Sequence, residues 1–139
     1  MKSEPDVFSF DDMMAKTKRG EPESWHGVRN YAARNNMKAM AIGDEAFFYH
    51  SNIGKEIVGI MKVVALAHPD STAEPNDKGN IVWRCVDVEA VKPLPKPVTL
   101  ATVKATPELA ELELVKYSRL SVSKVSEAEW NLICRMGGL

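Results

Sequence analysis

Three strand-like runs follow one another with no helical pattern between them: EAFFYHS (45–51), EIVGIMKVVALA (56–67) and IVWRCVDVEAV (81–91). All three are rich in β-branched and aromatic residues, and turn residues bound them. Gly43-Asp44 precedes the first, Asn52-Ile53-Gly54 separates the first two, and HPDSTAEPNDKGN (68–80) separates the last two. Parallel neighbours need a crossover of a dozen or more residues, usually a helix. Consecutive strands without such crossovers therefore favour an antiparallel or mixed sheet over a doubly wound one. Gly59, inside the second run, marks a bulge or bend.

Helical signals flank this meander. Ser9 with Asp12 forms an N-cap pair that predicts a helix over 10–17. VRNYAARNNMKAM predicts a second helix over 28–40, stopped at Gly43. KPLPKPVTL carries three prolines in five positions and reads as a stiff extended connector. Thr106 with Pro107 opens a helix through TPELAELELV, and YSRLSVS (117–123) reads as a short strand. Ser126 and Glu129 form a capping box for the last helix, which Gly137 ends and in which Trp130 reads as core. The expected fold is α+β: a small mixed curved sheet or open barrel flanked by helices, in one domain spanning 1–139.

The 139 residues carry a net charge of −1, which argues against a protein that coats nucleic acid through phosphates alone. The charge is uneven. Between Met13 and Gly43, Lys16, Lys18, Arg19, Arg29, Arg34 and Lys38 face only Glu21 and Glu23, a net of +4. No apolar run reaches the ~18 residues of a membrane span, and MKSEPDVFSF is not a secretory leader, so the expected location is cytoplasmic with no membrane partner. Cys85 and Cys134 match no metal or redox spacing and read as buried thiols.

One segment of that basic region, SWHGVRNYAARN (24–35), excludes acids altogether. Flat ligands such as a nucleobase outside its stack are held by aromatic faces and by donors and acceptors at their edge. Trp25, Trp83 and Tyr49 are candidate walls; Asn30, Asn35 and Ser51 are candidate edge readers; Arg29, Arg34 and Lys2 could hold phosphates. Trp25 lies in a polar loop beside a glycine, an unusual place for a core tryptophan. His50 and Ser51 end a strand, where sites are often built. Enzyme motifs are sparse. The histidines, at 26, 50 and 68, sit in no metal-binding spacing, and no Gly-rich cofactor loop or nucleophile elbow is present, so no cofactor and no metal are expected.

MKSEPDVFSF, WHGVRNYAARN, GDEAFFYHSN, IVGIMKVV with HPDSTAEP, IVWRCVDV, PVTLATVK and RLSVSKVSEAEW together resemble EVE-domain proteins over essentially the whole chain. Asn36 departs from the aromatic or apolar residue common there, and the 68–80 loop is short. The resemblance implies a PUA-like fold, similar to the YTH domain, and a partner nucleic acid, DNA or RNA, carrying a modified base such as modified cytosine. It places the pocket at Lys2, Ser3 and Glu4, at Trp25 with Val28, Arg29 and Asn30, at Arg34 and Asn35, at Tyr49, His50 and Ser51, at Trp83, and at Arg119, Leu120 and Ser121.

The expected function is thus a non-catalytic reader with one base between Trp25 and Trp83, Asn30 and Ser3 at its edge, and Arg29, Arg34, Lys2 and Lys38 steering the strand. The alternatives are a small hydrolase acting on a modified nucleotide and a protein-interaction module. Oligomeric state is not legible.

Overall fold

A computed structural model describes residues 1–139. The meander is present as β3 (Glu45–His50), β4 (Glu56–Pro69) and β5 (Arg84–Thr99), paired antiparallel. Two-residue strands complete the sheet: β1 (Lys2–Ser3) lies parallel to β3, and β2 (Glu23–Ser24) antiparallel to β5. The order is β1-β3-β4-β5-β2, a mixed α+β sheet that does not close. Four register shifts along β4 and β5 bend it.

Alternation along the strands sorts the core into two layers. Phe48 faces one side of β3; Phe47 and Tyr49 face the other. On the Phe48 side pack α1 (Phe10–Lys18), through Phe10 and Met13, and α2 (Tyr31–Lys38), through Ala33 and Met37. On the opposite side pack α3 (Leu100–Lys104), α4 (Glu113–Lys116) and α5 (Glu127–Met136), with Val103, Ile133 and Leu112, the residue just before α4, buried. Trp130 stacks on Phe47 at 3.9 Å between centroids, as core. Cys85 is buried and Cys134 half-buried, both free. No helix is long and apolar enough to cross a membrane.

Gly59 is required where it stands. A Cβ there would meet the Phe10 ring at 2.3 Å, and that ring is itself locked against Phe48. Gly59→Ala is expected to lower unfolding free energy by about 1–3 kcal/mol, read from urea denaturation.

Several elements differ from the sequence expectation. The proline run is not a separate connector but the second half of β5. Prolines at 93, 95 and 97 remove N–H groups along one edge only, while the Lys96 N–H, on the other side, donates to the Gly137 carbonyl (3.0 Å). The second helix starts at Tyr31 rather than Val28, because Asn30 is its N-cap and accepts the Ala33 N–H at 2.9 Å. Residues 117–123 form no strand. Scattered bonds rather than a ladder hold them, among them Lys2 N–H to Ser121 O, Leu120 N–H to Tyr117 O and Asn36 Nδ2 to Val122 O, since β1 is too short to pair along them. TPELAELELV breaks into a 3-10 turn (Pro107–Leu109) and α4, with extended Leu112 between them. Both capping boxes form as read.

Candidate functional site

Residues 25–30 are irregular rather than helical, and a buried carboxylate organises them. Asp70, fully inaccessible, accepts from the Gly27 N–H (2.8 Å) and the Arg29 guanidinium (3.0 Å) through Oδ2. Its Oδ1 accepts from the Thr72 N–H (2.8 Å) and hydroxyl (2.6 Å). Burial alone would raise its pKa, but the bonds from Thr72, Gly27 and Arg29 together outweigh burial and hold the carboxyl far below the usual range. The Gly27 φ of +84° lets the backbone turn its N–H onto this acceptor. Asp70 was not anticipated as a site residue. Its one sequence signal was the Asp-Ser-Thr turn signature, and the partners that tie it to the site, Gly27 and Arg29, lie more than forty positions away.

Beside this clamp opens a hollow of about 270 Å³, lined by Lys2, Ser3, Val7, Phe8, Glu23, Ser24, Trp25 and His26. Trp25 forms its aromatic wall while its other side packs edge-on to Phe48 (5.6 Å, 86°), leaving it 7% exposed. Its N–H is fixed on Val86 O, which extends the β2 pairing. Ser3 donates to Phe8 O (2.6 Å) and closes the turn that forms the opposite rim. The Lys2 ammonium, its pKa lowered by burial, donates to Ser118 O. Ser118 belongs to a second, larger groove of about 580 Å³, with Asn30, Asn36, Lys116, Arg119, Leu120 and Lys124 among its lining residues.

The sequence-predicted residues thus fall into separate groups. Lys2, Ser3 and Trp25 share the first hollow; Asn30, Arg119 and Leu120 share the second. Trp83 lies in neither and stacks on Tyr31 (4.8 Å), so the two tryptophans do not face each other across one cavity. Arg34 is engaged with Val82 O (3.0 Å) and with Asn35 Oδ1 (2.8 Å). Val28 is core, Glu4 accepts from Asn52, and Ser121 lends its carbonyl to Lys2. Tyr49 points into the opposite core layer, with Ser51 beside it at the β3 end. His50 Nε2 accepts the Phe10 N–H (3.1 Å), and burial lowers its pKa, so that nitrogen is not free to take a proton from Ser51. Val7, Phe8, Glu23, Ser24 and His26 are lining residues that sequence reasoning missed.

Behind Ser24 lies a polar strut. Asp87 Oδ1 accepts from Ser24 Oγ (2.6 Å) and bonds His68 Nε2 (2.7 Å). His68, Cys85 and Asp87 place three ligand atoms within 4.8 Å of one another, a donor set that Zn²⁺ accepts. However, Cys85 Sγ is 3.9 Å from both ring nitrogens, so it lies against the ring rather than along one lone pair. Burial also pushes the Cys85 thiol up to about 11, which keeps its proton in place.

The Asp87 bond raises the His68 pKa above its ordinary 6.5, burial opposing; Asp87, despite burial, is lowered from 3.8 by Ser24 and His68. A raised histidine stabilises fully below its unfolded pKa and loses that contribution as pH rises through the folded one. A lowered aspartate does the reverse, losing its contribution as pH falls. Wild type is therefore expected to gain thermal stability over His68→Gln around pH 5–6, with the difference shrinking as pH rises above 6.5, measured by melts across pH 4.5–9.

The family model for the EVE domain matches residues 1–136. The chain belongs to the EVE-domain family. Human thymocyte nuclear protein 1 is 35% identical over 96% of this EVE domain and 70% of the relative. A crystal structure from Agrobacterium tumefaciens superposes with TM-score 0.92 at 54% identity, covering 99% of this chain and 90% of that one. Human thymocyte nuclear protein 1 in complex with 5-methylcytosine-containing DNA superposes with TM-score 0.89 at 33% identity, covering 100% and 96%. The family expectation from the MKSEP, WHGVRNYAARN and RLSVSKVSEAEW motifs therefore holds.

Proposed function

We propose that this EVE domain is a non-catalytic reader that admits one modified nucleobase, a modified cytosine in DNA or a modified base in RNA, to the hollow beside Trp25. The observation that carries this is the hollow's composition. It pairs an aromatic wall with the Ser3, Ser24 and His26 polar groups in a volume of about 270 Å³, and its one carboxylate, Glu23, is paired with Lys16 at 3.3 Å. Stacking and edge bonding are how an unstacked base is held. The human relative's complex with 5-methylcytosine DNA supports nucleic acid as the partner. In the second groove Lys116 is paired with Glu111 at 2.7 Å, and Arg119 and Lys124, beside Glu113, supply positive charge for a phosphate or two, which suits a chain with net charge −1. A reader rather than a hydrolase is favoured by the commitment of His50 Nε2 to the Phe10 backbone.

Val7 offers a test that spares the core, because it lines the hollow while 75% exposed. Val7→Trp should fill the hollow, leave the melting temperature within a few degrees, and weaken binding of a 5-methylcytosine strand by at least tenfold, read by fluorescence anisotropy. Unchanged affinity would place the base elsewhere.

A further inference from the structure

Tyr31 and Trp83 belong to neither core layer, although both are large aromatics. Their rings stack at 4.8 Å with an interplanar angle of 26°, and Tyr31 remains 60% exposed. The Arg29 guanidinium stands 5.8 Å from the Trp83 ring centre and the Arg34 guanidinium 4.9 Å from that of Tyr31. Neither cation is loose. Arg29 is tied to Asp70 and Thr72, Arg34 to Val82 O and Asn35. With Tyr31 this exposed, the pair excludes little water for the fold, yet two guanidinium groups flank it and each is itself fixed to the protein. Such an arrangement is preorganised at no benefit to a core.

We infer that the Tyr31–Trp83 pair is a second nucleotide contact, a stacking shelf for an unpaired base neighbouring the one read beside Trp25. The occupant follows from chemistry. A base stacks on the exposed end of the pair, where the Arg34 guanidinium plane lies over the Tyr31 ring, and its phosphate meets guanidinium N–H groups that the protein leaves free. Of the five donors on Arg34, the bonds to Val82 and Asn35 use three. The placement follows from the loop. Trp25 and Tyr31 are six positions apart, a reach of at most about 20 Å, within a few nucleotides of one strand. The same Asp70 that fixes Gly27 beside the hollow fixes Arg29 beside Trp83, and its own N–H donates to Trp83 O (3.0 Å). Hollow and shelf are therefore held in one fixed relation.

This rests on the base-reading proposal, and the test separates the two. Wild type, Tyr31→Ala and Tyr31→Phe are titrated with three single-stranded DNA nonamers: one with a central 5-methylcytosine, the same strand with abasic sites on both sides of it, and one with unmodified cytosine. The shelf predicts that Tyr31→Ala weakens the intact modified strand roughly five- to hundredfold, as loss of one base–aromatic stack does. It also predicts less than a twofold effect on the abasic strand, an unchanged preference for modified over unmodified cytosine, and near-wild-type binding by Tyr31→Phe. Equal losses on intact and abasic strands, or no loss on either, would overturn the shelf. Should wild type fail to separate modified from unmodified strands, the base-reading proposal falls, and the intact-against-abasic comparison still decides the shelf. Should wild type bind none of the three, both fall.

Discussion

Asp70→Ala is expected to cost about 3–5 kcal/mol of unfolding free energy and to abolish strand binding. The wild-type carboxylate is inaccessible and accepts four bonds, two from Thr72 and one each from Gly27 and Arg29. Removing it leaves the Gly27 and Thr72 N–H groups without their acceptor, at about 1–3 kcal/mol for each buried N–H, and takes the carboxylate from the solvent-reached Arg29 guanidinium. The second consequence is local. Gly27 and Arg29 are the points at which residues 25–30 are held, so the wall of the hollow and the Trp83 shelf should both lose their positions. Arg29→Ala removes one of the four bonds and should cost distinctly less, because Arg29 is itself exposed. Urea midpoints and the Gly27 amide resonance would read the two effects separately. Similar destabilisation by both substitutions would mean that the ion pair alone matters and the clamp does not. Because the Asp70 carboxyl titrates well below the usual range, its contribution is present above its ordinary 3.8 and fades only as pH falls below that. The clamp should therefore hold through the whole neutral range.

Trp25→Ala is expected to lose about 3–5 kcal/mol and the preference for the modified base together. Trp25 packs edge-on to Phe48 in the first core layer and also lines the hollow. Truncation therefore opens a cavity under the site as it removes the wall. A shift in the melting curve would accompany any binding loss, so this variant cannot be read alone. Beside Val7→Trp, which blocks the hollow from the solvent side, the pair becomes informative: one variant unfolds and fails to bind, the other stays folded and fails to bind. If Trp25→Ala kept the preference while melting early, Trp25 would be core only.

What the sequence made legible was local. The capping boxes at Ser9–Asp12 and Ser126–Glu129 depend on spacings of three, and both formed as read. The meander followed from β-branched runs bounded by turn residues. What it concealed was set by distant partners. β1 and β2 have two residues each, too few to carry a period, and they are strands only because β3 and β5 lie beside them. YSRLSVS alternates convincingly but finds no edge to pair with. Prolines 93, 95 and 97 looked like a break because their spacing of two, harmless along one strand edge, shows its meaning only once the strand is known. The site divides in the same way. Trp25 stood out by its polar neighbours, and the EVE motifs pointed to Lys2 and Ser3. Asp70 gave almost no signal, since its role lies in reaching Gly27 and Arg29 across the fold. Trp83 stood out for the right composition but the wrong neighbour: it faces Tyr31, not Trp25.

The most direct test is an NMR titration of the isotope-labelled domain with a single-stranded nonamer carrying one 5-methylcytosine, with the unmodified strand as control. The base-reading account predicts that the Trp25 indole N–H and the Ser3, Ser24 and His26 amides shift with the modified strand and much less with the control. Shifts confined to the groove at Lys116, Arg119 and Lys124, equal for both strands and absent at Trp25, would contradict it: the domain would then hold phosphates without reading a base.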